Sequence, residues 1–121
     1  MNYQVVEHKG VAYIECLPGD GRIEQEQDAL DLVGICGEHG TRRVLLPEAL
    51  LSEDFFNLKT GLAGAVLLKF VNYWIKAALV LPRERSSAGR FGEMVLEANR
   101  SSRHLHVFDN PHAAADWLVQ E

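Results

Sequence analysis

Cysteine is scarce in this 121-residue chain: Cys16 and Cys36 are the only two, and their spacing is not Cys-x-x-Cys. Two cysteines cannot build a disulfide framework, so the chain reads as carrying free thiols in a reducing cytoplasm. Positive charge is short as well. Twelve Lys and Arg stand against 17 Asp and Glu, a formal net charge of -5. That excludes a protein covering nucleic acid with a broad basic face, because such binding rests on neutralising many phosphates; only a local basic patch stays open. Uninterrupted apolar sequence is missing too. The stretch Gly61 to Leu81 is cut by Lys69, Asn72 and Lys76, whereas a membrane span needs about 20 mostly apolar residues. The amino-terminal MNYQVVEHKG has no positive region followed by an apolar one, and so is not a signal peptide. No linker, repeat or low-complexity segment interrupts the chain, so 1–121 is expected to form a single domain. The expectation is a cytoplasmic protein with no nucleic-acid or membrane partner.

What is present alternates between two periods. Asn2 to Glu7 and Val11 to Cys16 are rich in Val, Tyr and Ile and flank His8-Lys9-Gly10, which predicts a β-hairpin. After LPGDG, a helix is predicted from Ile23 to Glu38, with Ala29, Leu32, Val33 and Cys36 at helical spacing. Gly40 suits the left-handed position that follows, and Arg42 to Leu46 gives a short strand ending at Pro47. Ser52 is placed to cap a helix running to about Asn72, with Phe56, Ala63, Val66, Leu67, Phe70 and Trp74 on its core face. Ile75 to Leu81 is a nearly continuous apolar run of the kind found in strands covered on both faces. A further helix, capped by Ser86 or Ser87, runs to about Asn99; Arg103 to Phe108 is a strand, and Asn110-Pro111 starts a last helix. The order ββαβαβαβα predicts an α/β fold: a mixed sheet of about five strands, an N-terminal hairpin followed by parallel strands, with about four helices.

Few motifs carry chemistry. Lys59-Thr60-Gly61 with Gly64 suggests phosphate binding, but a phosphate loop has Gly-x-x-x-x-Gly-Lys-Ser/Thr between a strand and a helix start. Here the glycines follow the Lys-Thr, inside the predicted helix. Neither Gly-x-Gly-x-x-Gly nor a Gly-x-Ser-x-Gly elbow occurs. Gly61 and Gly64 instead leave a helix face that another backbone can approach, and Leu58, Ala65 and Leu68 lie beside them away from the predicted core. His104 and His106, two apart on a strand, point the same way and could hold a metal with His112 or Asp109. The sequence has no second ligand pair at metal spacing, so no metal is expected. Arg83 and Arg85 before a helix start at Ser86-Ser87 form a candidate anion site, set against a plain solvated loop partly neutralised by Glu84 and Glu93.

Ser52 to Gly64, SEDFFNLKTGLAG, together with ALDL at Ala29 to Leu32 and EANR at Glu97 to Arg100, resembles a bacterial family, domain of unknown function 4180. The likeness covers nearly the whole chain and implies no activity. The element order in turn looks like the STAS-like fold of anti-sigma factor antagonists. In those proteins a helix beginning Asp-Ser-Ser-Gly-Leu-Gly meets a partner kinase, which phosphorylates serine. Thr60-Gly61-Leu62 matches Ser-Gly-Leu, so Lys59 takes the usual phosphoacceptor position, and Thr60 and Ser52 are the remaining hydroxyls. Phosphate on either would add nearly two negative charges beside Glu53 and Asp54.

Two classes of function follow. The first is a non-enzymatic STAS-like regulatory module, without cofactor, that docks a protein partner through Leu50 to Leu68. Ser52, Asp54, Phe55, Leu58, Lys59, Thr60, Gly61, Gly64, Ala65 and Leu68 would contribute from this loop and helix. The second is a small-ligand binder or enzyme at the carboxyl ends of the parallel strands, where open α/β sheets place their sites. Glu48, Ser52, Arg83, Arg85, Ser86 and Asp109 would supply that site. Self-association as a homodimer is the remaining alternative.

Overall fold

In the computed structural model, which describes residues 1–19 and 21–120, one sheet has the order β1-β2-β3-β4-β5. Strands β1 (Asn2–His8) and β2 (Val11–Leu17) form the predicted antiparallel hairpin. Its turn is Lys9-Gly10, with φ of 52° and 79°. Two consecutive positive φ angles define a type I′ turn, whose twist matches that of the flanking strands. Strands β3 (Arg43–Pro47), β4 (Lys76–Val80) and β5 (Leu105–Phe108) then add in parallel. The architecture is the mixed α/β sheet that the alternation predicts.

Helices α1 (Glu26–Glu38), α3 (Leu62–Asn72) and α5 (Gly89–Ser101) lie in the connections β2 to β3, β3 to β4 and β4 to β5. Each connection joins neighbouring strands and each new strand is added in the same direction, so right-handed crossovers place all three helices on one face. That face holds the larger core, built on Ile14, Leu46, Leu79, Phe70, Leu32 and Phe55. Helix α6 (Pro111–Leu118) follows the edge strand and crosses the opposite face, where Tyr13, Leu45 and Ala78 meet Ala114, Ala115 and Leu118. Its start is as predicted: Asn110 accepts from the Ala113 N–H at 2.8 Å, and Pro111 opens the helix. One two-turn helix thus covers the face opposite three longer ones, and it runs back toward the amino ends of the strands.

The helix predicted from Ser52 to Asn72 is instead three pieces: α2 (Glu53–Phe56), a 3-10 turn at Leu58–Thr60, and α3. Local side-chain bonds compete with the helix here. The Asn57 side chain accepts from the Lys59 N–H. The Thr60 hydroxyl is shared between the Asp54 and Asn57 carbonyls, and it accepts from the Leu62 N–H. Gly61, left-handed at φ 77°, completes the break. The break changes which residues face inward. Phe55 is buried, Phe56 and Leu67 are half-buried, and Trp74 is 66% exposed.

Three other boundaries move. Helix α1 starts at Glu26 because Ile23 is buried in a bridge to Leu51, and Gln25 and Asp28 form a reciprocal capping box. Ser86 and Ser87 do not cap α5; they end a one-turn helix, α4 (Arg83–Ser86), and Ala88 precedes α5. The α4–α5 junction is tight. A Cβ on Gly92 would lie 2.6 Å from the Ser87 carbonyl carbon. The left-handed residue after α3 is Trp74 at φ 58°, not Asn72. Among the described residues no helix is long and apolar enough to cross a membrane.

Candidate functional site

At the carboxyl edge of the parallel strands the arginines are already engaged. Arg83 Nε donates to Asp109 Oδ2 at 2.7 Å. Arg85 donates to Glu48 at 3.2 Å and to both oxygens of Glu53, and its guanidinium lies 4.1 Å from the centre of the Phe56 ring. Hydrogen bonding from Arg85 lowers the Glu53 carboxyl below its ordinary range, and the same bond raises the already high Arg85 value. Ser86 and Ser87 lie at the carboxyl end of α4, and both hydroxyls face the Arg83 carbonyl, Ser87 at 2.6 Å. The amino-terminal helix dipole expected behind an anion at these serines is therefore not there. Beneath Arg85, the rings of Phe55, Phe56 and Phe91 meet at centroid distances of 5.0–6.1 Å, a packed joint flanked by two open hollows of about 280 Å³ each at Phe56 and Phe91.

The surface expected around Leu50 to Leu68 is divided. Phe55 is fully in the core and offers nothing to a partner. Ser52 sits at the start of α2, but its hydroxyl is shielded from solvent and makes no hydrogen bond within the protein. Thr60 is exposed, with its hydroxyl occupied by the turn described above. Asp54, Lys59, Gly61 and Gly64 are exposed, while Leu58 and Ala65 are half-buried. Leu68 is 56% exposed and Val71 42%. The outward apolar surface therefore lies further along α3 than the sequence placed it.

The amino edge is built differently. Arg42 and Arg43 lead into β3, Lys76 begins β4, and Arg103 and His104 lead into β5. Arg43 pairs with Lys76 across the β3–β4 ladder, which brings these starts to one level. Arg42, Arg43, Lys76, Arg103 and His104 line an open cleft of about 370 Å³ together with Trp74. A second lobe of about 610 Å³ shares Lys76 and Arg103 and adds Arg100, Ser102, His106 and Trp117. Five of the twelve Lys and Arg of an acidic chain therefore converge here. Among the described lining residues there is no carboxylate.

Two of these cations have a structural duty. Lys76 Nζ donates to the carbonyls of Trp117 and Gln120 at 2.6 and 2.8 Å, and Arg43 Nε donates to the Leu118 carbonyl at 2.7 Å. They satisfy the end of α6, where cations oppose the negative end of the helix dipole. Lys76 also lies 4.4 Å from the centre of the Trp117 ring. Burial, and then the charge of Arg43, lower the Lys76 pKa, as expected where cations crowd. Arg100 pairs with Glu97 one turn earlier on α5. Arg42 and Arg103 are exposed and make no ion pair among the described residues.

The histidines are held by carbonyls. His104 Nδ1 donates to the Ile75 carbonyl at 2.8 Å, and His106 Nε2 donates to the Ser102 carbonyl at 2.8 Å. Because a carbonyl only accepts, these bonds fix which ring nitrogen carries the proton. The other nitrogen of His104, Nε2, is then an acceptor. His106 stacks on Trp117 at 4.3 Å, and Trp74 meets His104 edge to face at 5.7 Å. Among the described residues no group of three or more His, Cys, Asp or Glu side chains is placed to hold a metal ion.

A family model for a domain of unknown function, DUF4180, matches residues 8–118. The chain belongs to this family. Comparison with curated proteins and with solved structures returns no match. The match in this DUF4180 domain spans β2 to β5 and all six helices, so it includes both the cationic wall of the cleft and Trp117 at the end of α6.

Of these residues, the sequence points to the two histidines and, within the local excess of five arginines from Arg83 to Arg103, to Arg100 and Arg103. A signal for the rest was present: RR precedes VLLP, K opens the AALV strand and RH precedes LHVF. Parallel strands bring such starts to one edge.

Proposed function

We propose that this domain is a binding module for a small anionic ligand, a phosphate or polycarboxylate, held at the amino edge of the parallel strands. The observation that carries the reading is the convergence of Arg42, Arg43, Lys76, Arg100 and Arg103 on one cleft without a lining carboxylate among the described residues. Like charges gathered in this way repel, and a bound anion relieves that repulsion. Arg43 and Lys76 are accounted for by the end of α6 and Arg100 by its pair with Glu97; Arg42 and Arg103 have no ion-pair partner among the described residues. Guanidinium groups match phosphate and carboxylate oxygens in bidentate fashion, and the cleft volume falls in the range of small-molecule sites. Calorimetric titration with pyrophosphate and, separately, with citrate at low ionic strength tests this. Saturable binding of at least one is expected, weakened by salt and lost in the double variant Arg42→Glu/Arg103→Glu, but kept in Arg83→Glu at the opposite edge. No binding of either anion to the unaltered protein would set the reading aside.

A second reading keeps the interaction surface on α3. Gly64, Leu68 and Val71 recur at helical spacing on its exposed side, Leu68 at 56% and Val71 at 42% exposure. An apolar, uncharged stripe around a glycine is self-complementary, so the occupant it suits is a second copy of this chain across a two-fold axis. Light scattering over a concentration series should show a dimer that Leu68→Glu converts to a monomer. A monomer at every concentration would remove this reading.

A further inference from the structure

The cleft holds more than charge. Trp74 stands at its mouth with 66% of its surface exposed and a left-handed backbone, φ 58°. Both properties run against expectation. A bulky residue at positive φ is a conformational outlier that ordinarily gives way to glycine or asparagine. An indole left in water forgoes a large burial gain. The backbone has a structural cause, since Trp74 ends α3 with its N–H on the Val71 carbonyl and the Ile75 N–H on the Phe70 carbonyl, at 3.2 and 2.8 Å; the choice of an exposed tryptophan there does not, because its side chain lies outside the core. A large exposed aromatic in a concave site is a common ligand contact. Trp74 lines the same cleft as Arg42 and Arg103, and its edge-to-face contact with His104 ties the indole to the start of β5.

We infer that the ligand of this cleft joins a phosphate to a planar ring, the chemistry of a mononucleotide. Arg42 and Arg103 take the phosphate, and the ring stacks on Trp74. The inference rests on the anion-binding reading and adds a specificity element to it. The size of the cleft suits one nucleotide, and a net charge of -5 disfavours a long polyanionic strand. Aromatic side chains accept any base through its π face, so Trp74 selects for a ring without naming the base.

The test compares AMP, ribose 5-phosphate, adenosine and pyrophosphate by calorimetry on the full chain. AMP is expected to bind about tenfold tighter than ribose 5-phosphate, the contribution of one stacked base. In Trp74→Gly, which suits the left-handed backbone and opens no core cavity, that ratio should fall to about twofold or less, and Trp74→Phe should restore part of it. In the unaltered protein the Trp74 indole N–H resonance should shift with AMP and stay in place with ribose 5-phosphate. Equal affinity for AMP and ribose 5-phosphate overturns the ring while leaving the anion site standing. Adenosine binding as tightly as AMP overturns the phosphate. If none of the three phosphates binds, the mononucleotide inference fails, and if citrate does not bind either, the anion site fails with it.

Discussion

At the carboxyl edge of the sheet Arg83 and Arg85 lie 2.7 and 3.2 Å from the carboxylates of Asp109 and Glu48, whereas at the amino edge Arg42, Arg43, Lys76 and Arg103 converge with no carboxylate among the described lining residues. The same residue types therefore do opposite things at the two ends of the same strands. At one end the charges cancel over a cluster of three phenylalanines, and the loops are fastened. At the other, charge is concentrated beside two tryptophans, and Arg42 and Arg103 make no ion pair among the described residues. Open α/β sheets usually place ligands beyond the carboxyl ends of their strands. Here the cations at that edge, Arg83 and Arg85, are held in ion pairs, and Arg42 and Arg103, without an ion pair among the described residues, are at the other end.

The contrast can be broken from either side. The largest effect is expected at the packed edge: Phe55→Ala removes a fully buried ring and should cost about 3–5 kcal/mol in urea unfolding. A loss near zero would mean that this edge is not a structural joint. At the open edge, Arg42→Glu/Arg103→Glu should weaken anion binding about a hundredfold, roughly 2.7 kcal/mol, while leaving the urea midpoint nearly unchanged. If stability collapses instead, those arginines belong to the fold. Gly92→Ala presses a methyl group into the Ser87 backbone and should cost about 1–3 kcal/mol, measurable as a lower melting temperature.

Smaller effects sharpen the comparison. The Glu53 carboxyl is held below its ordinary range, chiefly by the hydrogen bond from Arg85. A lowered carboxylate pKa contributes stability above the unfolded-state value, and that contribution is lost as pH falls through the folded value. Glu53→Gln should therefore be slightly less stable than the unaltered protein at neutral pH and indistinguishable from it in acid. The gap is small because the carboxylate is exposed and screened; a gap that widens in acid would reverse the assignment. Leu68→Glu, on an exposed helix face, should change monomer stability by no more than about 0.5 kcal/mol, so any larger effect seen at high concentration reports self-association.

Much of the frame was legible in the sequence. The Lys9-Gly10 turn, the apolar run before Pro82 and the Asn110-Pro111 helix start all lie where local chemistry puts them, because each depends on neighbours within a few residues. The long helix from Ser52 was not legible. Its hydrophobic spacing could not show that Asn57 and Thr60 would satisfy the backbone locally, so that Phe55 turns inward and Trp74 outward. The arginine pair near Ser86 was visible as charge, but its partners come from two other connections, Glu48 and Glu53 from that between β3 and β4 and Asp109 from that after β5. The cleft was the least visible feature. Its residues come from positions 42 to 117, and only their place at the start of parallel strands hinted at a meeting.

By itself, then, the sequence determined the alternation of strands and helices, and with it the mixed sheet, since hydrophobic period and turn chemistry act over short range. Only the tertiary structure decided which cations are neutralised and which are not. Charge pairing depends on distances in space between residues far apart in the chain, and the parallel order of β3, β4 and β5 sets those distances by bringing all three strand starts to one edge.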